Sequence, residues 1–272
     1  MRSSGVSFLL LFLVSSQAHA YSRIVTLAPV VSEWTAELLG EVHARDLIVG
    51  VSEYSNYPPS LKTITTVGPY PRIQVEQIVA LHPDLVLAQA QSNDVAQIDQ
   101  LKRLKLKVIV LPEETFGGMP LWIKNLGVVL GKPSDAENLS HRWINEVAEL
   151  RAKHPKKSQR VFLEIQHEPL VTIGGASFLN EAFALIGFEN IFGSLTQAYP
   201  KVSKEAVLKA KPDRLFILDL NGHASEFEPA QRDWQKYGYK TQILPGDLYA
   251  RCSFLLLKGL RDLSVIKPIA AH

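Results

Sequence analysis

Cysteine is almost missing from this chain, and that excludes several ways of stabilising a fold or building a site. The 272 residues contain one cysteine, Cys252. A single thiol can form neither an intramolecular disulfide nor a cysteine-based metal cluster. Because a lone thiol of this kind is usually buried and inert, we expect Cys252 to lie in the core.

An excess of charge of either sign is also lacking. The formal net charge is +2, with 21% charged and 46% hydrophobic residues, a composition typical of globular proteins. The densest basic run, residues 153–157, follows a segment with helical spacing and is most simply a solvated helix end. Neither a nucleic acid nor a polybasic contact with a membrane is therefore expected.

The first twenty residues contain an apolar run that is too short to span a membrane. Residues 6–14 are mostly apolar, whereas a transmembrane helix needs about 20 such residues. Arg2 precedes the run and Ala18-His19-Ala20 follows it, as in a cleavable secretory signal. We expect residues 1–20 to be a signal peptide and the mature protein to be exported to a periplasm.

Catalytic motifs are missing as well. The chain has neither a G-x-S-x-G nucleophile motif nor a phosphate-binding loop. In the sequence "QHEP", Pro169 breaks the helix that a His-Glu zinc motif requires, and the eight histidines show no ligand-like spacing. The sequence therefore predicts no enzyme activity, no cofactor and no assigned metal centre.

What the chain does have is an alternation of strands and helices. Residues 23–29 and 84–88 are short apolar runs, whereas residues 32–40 and 75–81 have helical spacing, with Ser32 as the expected N-cap of the first helix. Such alternation predicts parallel sheets covered by helices.

One long helix is predicted in the middle of the chain, over residues 134–155. This stretch has no glycine and no internal proline, and its length of about 30 Å would match the width of a small domain. The alternation restarts after it. We therefore predict an α/β fold with two similar lobes, residues 21–133 and 156–272, that contain parallel sheets, are joined by one long rigid helix and enclose a ligand cleft.

The two lobes also share a sequence. "YPRIQVEQIVALHPDLVLA" begins at Tyr70 and "YPKVSKEAVLKAKPDRLFI" begins at Tyr199. The residues that agree are Tyr70 and Tyr199, Pro71 and Pro200, Glu76 and Glu205, Pro83 and Pro212, and Asp84 and Asp213. A single recurrence at this long spacing predicts two lobes built on one plan rather than a solenoid.

Candidate ligand contacts follow from the expected sheets, because ligands of open α/β sheets bind beyond the carboxyl ends of the strands. That rule and the resemblance described below select Tyr57, Tyr70, Gln89, His167, Tyr199, Asp247, Tyr249 and Arg251. Tyrosine rings suit a large flat ligand. For Asp247 and Arg251, a local helical ion pair is the alternative.

Glu76 and Glu205 fall in the first turn of their predicted helices. Compensation of the helix dipole, worth about 0.3–1 kcal/mol, would explain either glutamate alone. It does not explain why the whole loop–helix unit recurs in both lobes. Paired exposed carboxylates would suit docking onto a partner with paired arginines.

The chain resembles the periplasmic substrate-binding proteins of ATP-driven importers that have a helical backbone between lobes, and most of all the cobalamin-binding members. The resemblance is carried by "VTLAP", "GVSEYSNYPP", "VEQIVALHPDLVLA", "GFENIF", "YPKVSKEAVL" and "DLYAR". It implies a monomer that captures a corrinoid, with cobalamin as transported ligand rather than cofactor, and delivers it to the permease of an ABC importer.

The resemblance also implies residue roles. Glu76 and Glu205 match the glutamates that dock onto permease arginines, and Tyr57, Tyr70 and Tyr199 match positions that hold the corrin ring. Asp247 and Arg251 match residues that address its amide periphery. Family members often have tryptophan where this chain has Tyr70, Gln89 and Tyr199, so the ligand itself stays open.

Two alternatives remain. A haem or ferric-siderophore binder of the same class would use Tyr70 or His167 as iron ligand, with Arg72 or Arg251 pairing with carboxylates of the ligand. An exported α/β enzyme is a more distant alternative, because fold alone does not decide function.

Overall fold

The computed structural model describes residues 21–90, 92–153, 159–220 and 224–265. The predicted signal peptide, residues 1–20, lies outside these ranges. Within them, no helix combines the length and the apolar character needed to cross a bilayer.

The first lobe contains a four-stranded sheet in which every strand runs parallel to its neighbours. The strands are β1 (Ile24–Thr26), β2 (Ile48–Val51), β3 (Leu85–Gln89) and β4 (Val108–Leu111), in the order β2-β1-β3-β4. The helices are α1 (Pro29–Leu39), α2 (Glu41–Leu47), α3 (Val75–Ala80), α4 (Val95–Arg103) and α5 (Met119–Val129), with a 3-10 turn over Pro59–Thr63. Every residue of β3 is buried, as expected for a parallel strand covered on both faces.

The second lobe contains a five-stranded sheet. Its strands are β5 (Gln159–Gln166), β6 (Val171–Thr172), β7 (Phe188–Asn190), β8 (Arg214–Asp219) and β9 (Thr241–Pro245), in the order β6-β5-β8-β9 with β7 also paired to β5. Its helices are α7 (Phe178–Leu185), α8 (Lys204–Ala210), α9 (Ala224–Lys236), α10 (Gly246–Tyr249) and α11 (Phe254–Ser264). β6 is antiparallel to β5, which departs from the predicted parallel sheet, because so short a connection permits only a hairpin.

The long helix α6 (Pro133–Lys153) connects the lobes, as predicted. It spans about 30 Å at 1.5 Å per residue. Its predicted end at residue 155 lies outside the described ranges. Trp143 of α6 packs against Trp34 of α1 and Phe254 of α11, with ring centroids 6.0 and 5.9 Å away. The same buried cluster continues into both lobes, so one large hydrophobic cluster connects them.

Two expectations about single residues have different outcomes. Cys252 is fully buried, as predicted, and its carbonyl accepts a hydrogen bond from Trp34 Nε1 at 2.9 Å. The N-cap prediction for Ser32 is wrong, because α1 begins earlier, at Pro29, and proline suits a first helical position. The buried Ser32 hydroxyl lies 3.1 Å from the carbonyl of Ala28 and 2.9 Å from Ser55 Oγ.

The repeated sequence builds the same structure twice. Asp84 accepts a hydrogen bond from the backbone N–H of Arg23 at 3.0 Å, and Asp213 accepts one from the N–H of Arg160 at 2.7 Å. In each case the aspartate's own N–H donates back to that arginine's carbonyl. The repeated aspartate therefore connects the start of one strand to its parallel neighbour in each lobe, β3 to β1 and β8 to β5.

Candidate ligand-binding cleft

A cleft with a cavity volume of about 600 Å³ lies between the lobes. It is lined at the carboxyl ends of strands from both sheets, by Gln89 of β3, by Asp219 of β8 and by Pro245 of β9. The first turns of α1 and α7 contribute Val30 and Phe178. The predicted position of the cleft is thus the observed one, since both sheets direct their carboxyl ends toward it.

Each copy of the repeat contributes one tyrosine to this cleft. Tyr70 is half-buried, and a hydrogen bond with Ser92 partly offsets the burial that raises its pKa. Burial raises the pKa of Tyr199 to about 12, although 46% of the residue is exposed and Ser177 hydrogen-bonds to its hydroxyl. The hydroxyl of Tyr199 therefore lies in a buried environment, and the residue lines the cavity.

Arg251 organises one wall of the cleft. Its Nη1 donates to the carbonyl of Tyr54 and to Asn56 Oδ1, both at 2.9 Å, and Asn56 Nδ2 donates to Asp247 Oδ1 at 2.8 Å. Its Nη2 lies 3.5 Å from Asp247 Oδ1, so the local ion pair considered above also forms. The guanidinium thereby fixes a loop of the first lobe against α10 of the second.

Behind this wall, Arg251 also contacts the buried side chain of Glu33. Its Nε lies 3.0 Å from Glu33 Oε2, and both side chains are almost fully buried. The two atoms are not aligned for a hydrogen bond. Burial raises the pKa of Glu33 to about 7, and Arg251 only partly opposes this rise.

Two neighbouring acids form another part of the cleft lining. Glu113 and Glu114 follow β4 and line the cavity, and Gln89 Nε2 donates a hydrogen bond to Glu114. Burial raises the pKa of Glu114 to about 7, and the neighbouring Glu113 adds to the rise. Sequence reasoning missed both glutamates, although their place directly after a strand was the signal that could have found them.

Five of the eight sequence-predicted contacts line the cavity. They are Tyr70, Gln89, Tyr199, Asp247 and Arg251. Tyr54, Asn56 and Phe178 line it too and were not predicted. Tyr54 takes the place expected for Tyr57, which lies in the same loop but outside the cavity lining.

Tyr249 and His167 also do not line the cavity, which corrects their predicted positions. Tyr249 is buried, and its hydroxyl donates to the carbonyl of Gly259 at 2.7 Å. His167 occupies the turn between β5 and β6, with Nδ1 3.0 Å from Glu164 Oε1 and Nε2 3.8 Å from Asp233 Oδ2. Both side chains have partners within the fold, and we do not propose either as a ligand contact.

The two predicted docking glutamates lie away from the cavity lining, in equivalent positions. Glu76 and Glu205 are exposed in the first turns of α3 and α8, as predicted. Ser203 caps α8 by accepting from the N–H of Ala206 at 3.2 Å. Backbone and Ser203 hydrogen bonds lower the pKa of Glu205, which keeps its carboxylate charged.

A metal centre does not emerge from the described residues. No group of three or more histidine, cysteine, aspartate or glutamate side chains is placed there to hold a metal ion. The cleft combines aromatic faces with carboxylates, carboxamides and one guanidinium. That combination suits binding of a large planar ligand with polar substituents.

Known proteins of similar structure share this two-lobed fold. A periplasmic vitamin B12-binding protein of Vibrio cholerae superposes with a TM-score of 0.72 at 26% identity, covering 90% of this chain and 96% of that one. A periplasmic heme-binding protein from Roseiflexus sp. RS-1 superposes with a TM-score of 0.75, covering 90% and 97%. At 21% identity, the second likeness shows the fold alone.

Sequence comparison gives the family. The chain is 30% identical over 248 residues to a vitamin B12-binding protein of Salmonella typhimurium, covering 90% of each protein. It is 31% identical over 213 residues to one of Vibrio vulnificus, covering 78% of this chain and 76% of that protein. A model of periplasmic binding proteins matches residues 24–240, and the chain belongs to that family.

Proposed function

We propose that this protein captures a corrinoid, with cobalamin as the leading candidate, and delivers it to the permease of an ABC importer. The observation that carries the proposal is the cleft between the lobes, about 600 Å³ in volume, into which each lobe contributes one tyrosine from its copy of the repeat. A planar ring between Tyr70 and Tyr199 would bury a large apolar area at a small cost in side-chain entropy.

The polar groups of the cleft support a ligand with an amide periphery. Amides both donate and accept hydrogen bonds. Asp247, Glu113 and Glu114 offer acceptors to amide N–H groups, whereas the first turns of α1 and α7 present the positive ends of helix dipoles to amide carbonyls. Two relatives of similar length are themselves named vitamin B12-binding proteins.

The experiment is a titration of purified protein with cyanocobalamin and with haemin. Binding is measured by calorimetry and by visible spectroscopy. We expect one-to-one binding of cyanocobalamin at submicromolar concentration and weaker binding of haemin. Tight binding of haemin with a shifted visible band, without binding of cyanocobalamin, would contradict the proposal. If neither compound binds, the family assignment stands and the proposed ligand is rejected.

Haem is the second candidate, and one observation favours it: the phenol of Tyr70 lies in the cleft, where it could ligate iron. The other parts of that hypothesis lack support. Neither His167 nor Arg72 lines the cavity, and Arg251 already serves Glu33, Tyr54 and Asn56. An anionic ligand would therefore meet carboxylates rather than a free cation of the described lining.

The remaining parts of the proposal concern export and delivery. We infer that residues 1–20 are removed on export, so that the mature chain begins at Tyr21 and works as a monomer in the periplasm. Amino-terminal sequencing of exported protein and its mass in solution test both points. Glu76 and Glu205 are proposed to dock onto the permease.

A further inference from the structure

The cleft has more negative than positive groups. Among the described residues that line it, four are carboxylates, Glu113, Glu114, Asp219 and Asp247, and one is a guanidinium, Arg251. The carboxylates come from both lobes, after β4, at the end of β8 and in α10. A ligand held between the tyrosines is therefore bordered by acids on two sides.

The single guanidinium does not balance these acids for a ligand. Four of its polar contacts are internal, to Glu33, Tyr54, Asn56 and Asp247. Its positive charge is shared between the carboxylates of Glu33 and Asp247, and its side chain is only 7% exposed. An incoming carboxylate would have to displace one of these partners before it could pair with Arg251.

Glu113 and Glu114 line the same cavity as the aromatic contacts Tyr70 and Tyr199. Burial is the main cause of the raised pKa values of Tyr70 and Tyr199, and the charges of both glutamates add to them. Gln89 donates one amide N–H to Glu114 and lines the same part of the cavity. The group is rich in hydrogen-bond acceptors, which match the N–H groups of a ligand amide and repel a ligand carboxylate.

We propose that Glu113 and Glu114 determine ligand specificity by selecting corrinoids with amidated side chains and rejecting tetrapyrroles that carry free carboxylates. The inference rests on the proposed corrinoid function and adds the chemical feature that the cleft reads. The rejected compounds would include haem, which carries propionates, and a corrin whose peripheral amides are hydrolysed. Shape alone would not separate the amide and acid forms of one corrin, because they are nearly isosteric.

The test compares cyanocobalamin with its monocarboxylic derivative, in which one peripheral amide is hydrolysed, and with haemin. Affinities are measured by calorimetry at pH 8 for the wild type and for E113Q/E114Q. We expect the wild type to prefer the amide over the acid by about tenfold or more, since like charges across an interface are strongly unfavourable. In E113Q/E114Q the preference should fall to about threefold or less, because the carboxamides remove the repulsion.

The readout is the ratio of the two affinities, so a general change in binding strength does not affect the conclusion. E41Q/E149Q is the matched control, since it removes two exposed glutamates outside the cavity lining, and it should keep the wild-type ratio. Melting temperatures of all variants confirm that they are folded.

Three results would overturn the inference. The first is equal binding of cyanocobalamin and its monocarboxylic derivative by the wild type, and the second is an unchanged ratio in E113Q/E114Q. Either result would reject the role of these glutamates in specificity and leave the corrinoid function unaffected. If haemin binds more tightly than cyanocobalamin, the inference and the proposed function both fail.

Discussion

Arg251 Nε lies 3.0 Å from Glu33 Oε2, and this buried contact joins the two lobes behind the ligand cleft. Glu33 belongs to α1 of the first lobe, and Arg251 follows α10 of the second. Taking two charges out of water is costly, and their attraction offsets that cost only while both partners remain. The wall of the cleft therefore depends on a charge pair whose members lie near opposite ends of the chain.

Replacement of Arg251 by methionine should destabilise the fold. The change leaves Glu33 buried without its cation, and we expect the free energy of unfolding to fall by about 3 kcal/mol. In E33Q/R251M the loss should be smaller than the sum of the two single losses. Urea unfolding of all four proteins at pH 7.5 gives this double-mutant cycle. Additive losses would show that the pair does not couple.

Stability should fall as the pH rises from about 4.5 to about 7. Glu33 and Glu114 have folded-state pKa values raised to about 7 from 4.5. In that window the folded protein holds protons that the unfolded chain has released, so their contribution is complete below pH 4.5 and is lost through pH 7.

Urea unfolding between pH 4.5 and pH 8 measures this slope. E33Q and E114Q should each have a flatter dependence than the wild type, because a carboxamide does not titrate. All other titrating groups are the same in the three proteins, so the comparison between them isolates the two acids. Identical slopes in all three proteins would contradict the prediction.

Truncation of either cleft tyrosine should weaken ligand binding. We expect Y70A and Y199A to lose about 1–3 kcal/mol of binding free energy, roughly tenfold to a hundredfold in Kd, because each removes an aromatic face. Y237A is the control, since Tyr237 is exposed and does not line the cavity. Calorimetric titration with cyanocobalamin measures the affinities of all three variants. Equal affinities in Y70A and Y237A would show that Tyr70 does not contribute to binding.

Charge reversal at the repeated glutamates should separate binding from delivery. E76R/E205R should abolish uptake of cobalamin by cells, because the new arginines would repel the permease arginines onto which Glu76 and Glu205 are proposed to dock. Ligand affinity of the purified variant should stay close to that of the wild type, since neither residue lines the cavity. E41R/E149R serves as the control with the same change of charge.

A parallel loss of uptake and affinity in E76R/E205R would place these residues in the fold or in the ligand site. Normal uptake would show that delivery does not use them.

The fold was largely predictable, because short apolar runs and helical spacing are local properties of a sequence. The same holds for the cleft, since the carboxyl ends of parallel strands determine where ligands bind. Tyr70 and Tyr199 were identifiable for a further reason, which is that they recur with the same neighbours. The repeat also concealed a structural role at Asp84 and Asp213, which became visible only when their strand partners were known.

The failures share a different cause, which is dependence on distant neighbours. Nothing near Tyr249 indicates that its hydroxyl binds the carbonyl of Gly259, and nothing near His167 indicates a neighbour as distant as Asp233. The contact between Glu33 and Arg251 is of the same kind. Long-range partners depend on the packing of whole lobes, so local patterns do not specify them.

The core that runs through α6 into both lobes has a consequence for protein engineering. Trp143 of this helix packs against one residue of each lobe, Trp34 and Phe254, so removal of either lobe would expose part of the shared cluster. We expect neither half to be stable when expressed alone. We expect the long helix to restrict bending between the lobes, so the dye of a biosensor made from this protein would have to sense the contents of the cleft directly.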